Sequence, residues 1–202
     1  MSHESLALVD WRRRVAALYA QIRAADDPVA AHHLWATGRE ALIGEHPASP
    51  LSADERAGFH GLDIAPYDPA FRFVVAVEPP DEARTLEVPT ATDGIVPFAL
   101  VGNVTLPGLG TLGVWALRTY GGGLFVPLRD TTAGRSSYGG GRYVLDTAKG
   151  ADLGSDDDRL VVDLNFAYNP SCAYDDAWVC PLAPRQNVLA AAAPVGERSY
   201  LR

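Results

Sequence analysis

The chain has 202 residues, 48% of them hydrophobic and 21% charged, with a formal charge of −8. Such values are ordinary for a globular protein and argue against disorder, and the length supports one sizeable core without disulfide or metal staples. The acidic balance speaks against a nucleic-acid partner, whose groove needs a clustered basic face.

Helical signals come first. In residues 5–24, Leu8, Trp11, Val15, Leu18 and Ile22 recur at intervals of three and four, the apolar stripe of an amphipathic helix. Arg12, Arg13 and Arg14 fall within it and read as its solvated side. The opening residues lack the basic-then-apolar order of a signal peptide, and no apolar run reaches the ~18 residues of a membrane span. A soluble, cytoplasmic protein with no membrane partner is the expectation. Asp26-Asp27-Pro28 caps a second helix, which runs to residue 43 before Gly44 and Pro47 stop it. Ser52-Ala53-Asp54-Glu55 has the form of a capping box and predicts a short helix over 53–59, ended by Gly61.

From Phe71 the period changes to two, with Phe71, Phe73, Val75 and Val77 on one face. The runs TLEVP, IVPFALVG, NVTLPG, LGVWALRTY and GLFVPLRD follow, each bounded by Gly, Pro or Asn. Strands spaced by about ten residues mark an antiparallel sandwich or barrel. The expected fold is therefore mainly β: an antiparallel β-barrel or curled sandwich of roughly eight to ten strands. Two or three N-terminal α-helices pack against it. Residues 1–60 form the helical segment and 61–202 the β-rich body of one compact domain. Pro97 and Pro127 demote their runs to edges or bulges. The tail NVLAAAAPVGER is ambiguous, because Pro194 and Gly196 limit any helix to about two turns.

Most residues with chemical potential lie in or beside residues 139–180, which read as two strands, a polar turn between them, and an irregular segment with both cysteines. Cys172 and Cys180 are too few for a zinc ribbon. They leave open buried packing, a disulfide or redox pair, and a nucleophilic Cys172. No histidine follows His60, and His3, His32, His33, His46 and His60 read as surface or helix-face residues. His32 and His33 point about 100° apart on a helix, so they share a metal poorly, and no metal site is expected. The runs Gly121-Gly122-Gly123 and Gly139-Gly140-Gly141 read as turns, since neither continues into G-K-[ST]. Asp156-Asp157-Asp158 reads as a solvated turn.

The polar set Asp130, Tyr138, Arg142, Asp163, Asn165 and Asn169 is more informative. Asp163 interrupts an apolar strand, and Arg142 is a fork-like partner for it if the two strands form a hairpin. The set is either a structural network or a ligand-orienting cluster with Arg142 gripping an anion.

Three stretches carry a family resemblance: HPASPLSADERAGFHGLDIAPYDPAFRF, PLRDTTAGRSSYGGGRYVLD, and VDLNFAYNPSCAYDDAWVCPLAPRQNVL with a late GER. In this order, from residue 11 to residue 198, they resemble domain-of-unknown-function family 1684, an uncharacterised bacterial family. Leu128-Arg129-Asp130 and Asp163-Leu164-Asn165 depart mildly from its F-R-D and D-F-N patterns. The resemblance implies a shared core of Asp130, Thr132, Tyr138, Gly141, Arg142, Tyr143, Asp163, Asn165, Tyr168, Asn169, Pro170, Cys172, Cys180, Pro181, Asn187 and Glu197. It implies no reaction.

Two functions fit these residues. In the first, one barrel mouth binds a small polar or anionic molecule through Arg142, Asp163, Asn165, Asn169 and Asp130, with Tyr138, Tyr168, Tyr174 and Trp178 as walls. An enzymatic version would use Asp163 as general base or Cys172 as nucleophile. In the second, the protein is a scaffold, the same cluster is structural, and the Trp11 helix meets a partner or a second copy. No cofactor is called for; a flavin enters only by fold analogy.

Overall fold

The computed structural model describes residues 3–90 and 94–200. Helix α1 spans His3–Ala24 and α2 spans Pro28–Glu45. The Asp27 carboxylate caps α2 by accepting from Val29 N at 2.9 Å, with Pro28 in the first turn where its missing N–H is harmless. Helix α3, Ala53–Ala57, carries the complete capping box, Ser52 N to Glu55 at 2.8 Å and Glu55 N to Ser52 at 3.2 Å. It ends earlier than expected because Gly58 N turns back to the Asp54 and Glu55 carbonyls.

Eight strands among the described residues form two antiparallel sheets. Strands β2 (Thr85–Thr90), β3 (Gly94–Leu106), β4 (Gly110–Leu117), β5 (Leu124–Leu128) and β6 (Arg142–Asp146) pair in sequence order as a curled half-barrel. The second sheet places β8 (Arg159–Asp163) between β1 (Arg72–Ala76) and the short β7 (Ser155–Asp156). The mainly β architecture with N-terminal helices against it is as expected. No helix of the described residues is long and apolar enough to cross a membrane.

Two corrections concern strand pairing. The runs IVPFALVG and NVTLPG are one strand, β3, because Asn103 stays in the ladder opposite Gly113. The strands around Arg142 and Asp163 do not form a hairpin: β6 pairs with β5, and β8 with β1 and β7. After β6 the Asp146 side chain accepts from Lys149 N, Gly150 takes a left-handed φ of 86°, and the chain crosses to the other sheet. There the register sets Arg72 opposite Asp163. Asp157 and Asp158 make the exposed β7–β8 turn, as their polarity suggested.

The five-stranded sheet packs a hydrophobic cluster on each face, and β-bulges decide which side chain goes where. In β3 the register shifts between Leu100 and Gly102. One extra residue in one strand inverts the in–out alternation beyond it. Val96, Phe98 and Leu100 therefore join an aromatic cluster with Trp115, Phe125 and Tyr143. Val104 and Leu106, beyond the bulge, enter the aliphatic core with Leu112, Val126, Leu128, Val162 and Leu164. A second shift at Val126/Pro127 does the same between β5 and β6, so Pro127 marks a bulge inside the sheet and not an edge. Tyr143 is thereby sent to the aromatic face, while Val144 and Leu145 stay in the core.

The turn into β6 needs a specific glycine. Gly141 has φ +92°, and a Cβ there would lie 2.6 Å from the Leu128 carbonyl oxygen. Gly121 has a similar φ of +97° with nothing within 4 Å. Backbone strain alone costs about 1–2 kcal/mol. Urea denaturation should therefore find Gly141→Ala destabilised well beyond Gly121→Ala; equal losses would show that the Leu128 contact is unimportant.

Candidate functional site

The polar residues singled out in the sequence do not share one mouth. They lie in three networks. In the first, Arg142 pairs with Asp130 (Nη2–Oδ2 3.2 Å), both side chains being almost fully buried. The guanidinium also donates to the carbonyls of Ala193 at 2.9 Å, Glu197 at 3.2 Å, and Val195. Asp130 in turn accepts from Thr132 and from Ala193 N. Arg142 thus pins the C-terminal tail into the body. Its expected pairing with Asp163 is not formed, because the two residues sit in different sheets.

The second network closes around Asp163. Its Oδ1 accepts from Asn165 N at 3.0 Å and Nδ2 at 2.7 Å, and its Oδ2 from the Tyr67 hydroxyl at 3.2 Å. Arg72 Nε is 3.8 Å away. Asn165 stitches the end of β8 to the loop before β1, accepting from Asp68 N and donating to Asp68 O. Burial raises the Asp163 carboxyl above the ordinary range, outweighing the bonds from Asn165 and Tyr67 that favour its charge.

The third network is built on Glu197. Its Oε2 accepts from Arg39 Nε at 2.6 Å and Asn169 N at 3.1 Å. Its Oε1 accepts from Asn169 Nδ2 at 3.0 Å and from the Tyr174 hydroxyl. Arg39 Nη2 continues to Asn169 O at 2.9 Å and the Tyr174 hydroxyl at 3.0 Å, and the guanidinium lies 4.7 Å from the Tyr168 ring centroid. Burial pulls the Arg39 pKa down, but the Glu197 charge overrides it and the group is held more firmly protonated than usual.

Beside this network is a cleft of about 90 Å³ between α1, α2 and the aromatic face of the sheet. Trp11, Tyr19, Trp35, Tyr143, Tyr168 and Tyr174 wall it, Arg39 and Asn169 line it, and half-exposed Lys149 completes the lining. Asn169 Oδ1 is the one buried side-chain N or O atom among the described residues with no hydrogen-bond partner. Its orientation is settled: Nδ2 donates to both Glu197 Oε1 and the Arg198 carbonyl, so a flipped amide would face two acceptors with an oxygen. Arg39 Nε and Nη2 are both taken within the same network.

Of the residues expected at a site, Asn169, Tyr174 and Tyr168 reach the cleft. Tyr138 lies outside it, its hydroxyl 3.6 Å from Cys172 Sγ. Both cysteines are free and partly exposed, with Cys172 N donating to Cys180 Sγ at 3.4 Å. Trp178 is exposed and Trp11 turns inward, edge-on to His46 with ring centroids 5.3 Å apart. The surface reading fails for two histidines. His32 and His46 are buried, because His32 bonds the Asn165 carbonyl at 3.1 Å and His46 bonds Asp10 and Ala48 N. Among the described residues no three His, Cys, Asp or Glu side chains are grouped to hold a metal.

Arg39, Trp35, Tyr19 and Lys149 were missed. A signal existed for Arg39: it follows Trp35 by four and precedes Leu42 and Ile43 by three and four, a lone cation inside an apolar helical stripe. Such a cation needs a buried partner, and Glu197 provides it.

These features define a class: a mainly antiparallel β protein whose helices cover an aromatic, cation-bearing cleft. The chain matches the family described as protein of unknown function (DUF1684) over residues 57–198, and it belongs to that family. The match begins after α1 and α2, so Arg39 precedes it while Asn169 and Glu197 lie inside it. An uncharacterised protein of Haloarcula marismortui, solved by NMR in solution, is 34% identical with a TM-score of 0.56. The likeness covers 81% of this chain and 89% of that one. No curated protein matches.

A pH prediction follows from Asp163. A carboxyl raised on folding contributes its stability in full below its ordinary pKa of 3.8, and that contribution is lost as pH rises through the folded value. Asp163→Asn keeps an acceptor for Asn165 but does not titrate. The stability of the native protein minus that of the variant should fall as pH rises from acid to neutral in urea unfolding. Parallel curves would contradict the raised value.

Proposed function

We propose that the chain is a binding protein for a small, ring-bearing organic acid, held in the cleft between the helices and the sheet. The observation that carries this reading is Asn169 Oδ1, a buried acceptor without a donor, on a residue that lines a cleft walled by aromatic rings. An unmet buried acceptor costs about 1–3 kcal/mol, which a ligand O–H or N–H would relieve. Arg39, paired with Glu197, and half-exposed Lys149, 3.6 Å from Asp146, are the cations at the same cleft, and the aromatic walls favour a flat apolar body. The small enclosed volume suits one ring and disfavours a flavin, since clefts for larger ligands run to about 300–1,000 Å³.

For the Arg142 and Asp163 networks the structural alternative is the better reading, because the chain's own groups occupy their donors and acceptors. No reaction is assigned. Neither Asp163 nor Cys172 lines the cleft. The setting we adopt is the cytoplasm, where a reducing environment keeps both cysteines as thiols.

The probe is 4-hydroxybenzoate, compared with benzoate, which lacks the donor, and 4-hydroxybenzyl alcohol, which lacks the charge. Calorimetric titration should rank 4-hydroxybenzoate first, with each analogue weaker by about tenfold. Val15→Trp, which fills the cleft from α1, should abolish binding, and Lys149→Ala should weaken only the acids. Equal affinity for all three probes, or undiminished binding in Val15→Trp, would sink the proposal.

A further inference from the structure

The two cysteines stand apart from the cleft reading and have a geometry of their own. Cys172 lies in a single 3-10 turn, Ser171–Ala173, and Cys180 returns beside it after an exposed stretch, 176–179. The Cys172 backbone N–H donates to Cys180 Sγ at 3.4 Å, and the Tyr138 hydroxyl donates to Cys172 Sγ at 3.6 Å. Pro181, directly after Cys180, is tied down through its carbonyl by the Tyr143 hydroxyl at 2.6 Å. The two thiols are thus held close together and are partly exposed; Cys180 Sγ takes the Cys172 N–H, and the Tyr138 hydroxyl reaches both Cys172 Sγ and the Cys172 carbonyl, the latter at 3.4 Å.

We propose that Cys172 and Cys180 form a redox-active dithiol that exchanges with low-molecular-weight disulfides, Cys180 attacking first and Cys172 resolving. Cys180 Sγ accepts from the Cys172 backbone N–H, which favours a thiolate there. In agreement, the Cys172 hydrogen bond brings the Cys180 pKa down to about 6, with help from the Lys149 charge, and the same contact pushes Cys172 up.

The chemistry balances in two displacements. The Cys180 thiolate attacks one sulfur of a disulfide RSSR, forming a Cys180–S–S–R bond and expelling RS⁻, which takes up a proton. With the Cys180 charge consumed, the main opposition to ionisation of Cys172 is gone, and Tyr138 donates to the new thiolate. Cys172 then attacks Cys180 Sγ, forms the internal disulfide and expels the second RS⁻. Two protein thiols are oxidised, one RSSR is reduced to two RSH, and the two protons go to the leaving thiolates.

The test uses the full chain with oxidised glutathione, quenched by acid and read by intact mass under non-reducing conditions. The native protein should lose two hydrogens and retain no glutathionyl group. Cys172→Ser should trap one glutathionyl group on Cys180, whereas Cys180→Ser should react at least tenfold more slowly. Tyr138→Phe should leave the first attack unchanged and prolong the mixed disulfide. Near-ultraviolet circular dichroism checks each fold, with Cys172→Ala or Cys180→Ala replacing the serine variant at the same position if that variant unfolds. Equal trapping at either cysteine, or a native protein that keeps glutathione on both thiols, would overturn the assignment.

Discussion

Glu197 is the carboxylate that joins the pieces of this molecule. It is buried, and its two oxygens take donors from helix α2, the loop after β8 and Tyr174. Its own backbone is held as well: its N–H bonds the Ala167 carbonyl, and its carbonyl accepts from Arg142. Removing one partner from such a buried pair leaves a charge uncompensated, at about 3–5 kcal/mol. Gly196, at φ +75°, lets the tail approach closely enough, since a Cβ there would stand 2.7 Å from the Ala167 carbonyl oxygen. Arg142 fixes the tail and Arg39 fixes the helix to the tail.

That tie determines where a cleft forms. The sheet's aliphatic face is closed by the other sheet, while its aromatic face leads through Tyr143 and Tyr168 to Arg39. Helices α1 and α2 cover this second face, packing Leu18, Tyr19, Ile22 and Trp35 with Phe166 and Ala151. Leu18 approaches α2 over Gly38, where a Cβ would lie 2.8 Å from its Cδ1. What remains between rings that cannot collapse onto each other is a small, polar-edged cleft. Stability and the proposed binding thus draw on the same ion pair.

Local signals in the chain carried the helices and most strands, because caps, prolines and period are properties of neighbouring residues. Asp27-Pro28 and Ser52-x-x-Glu55 are examples. The bulge in β3 was not legible, since only cross-strand register reveals that Asn103 continues the ladder. The site was harder still. Arg142 was visible as a fork-like ion-pair partner, but it was matched to Asp163 on the condition of a β6–β8 hairpin, a pairing suggested by adjacency in sequence. Arg39 and Glu197 lie 158 positions apart, and no local pattern connects them. Asn169 was visible as a polar residue, but an unmet oxygen is a property of three-dimensional surroundings.

The most direct measurement is hydrogen–deuterium exchange on Glu197→Gln, which keeps the shape of the side chain and removes its charge. If the carboxylate joins the helical cover to the body, amides of α2 and of residues 167–174 should lose protection together, while β3–β5 stay as protected as in the native protein. Loss confined to residues next to position 197, with α2 unaffected, would contradict the account.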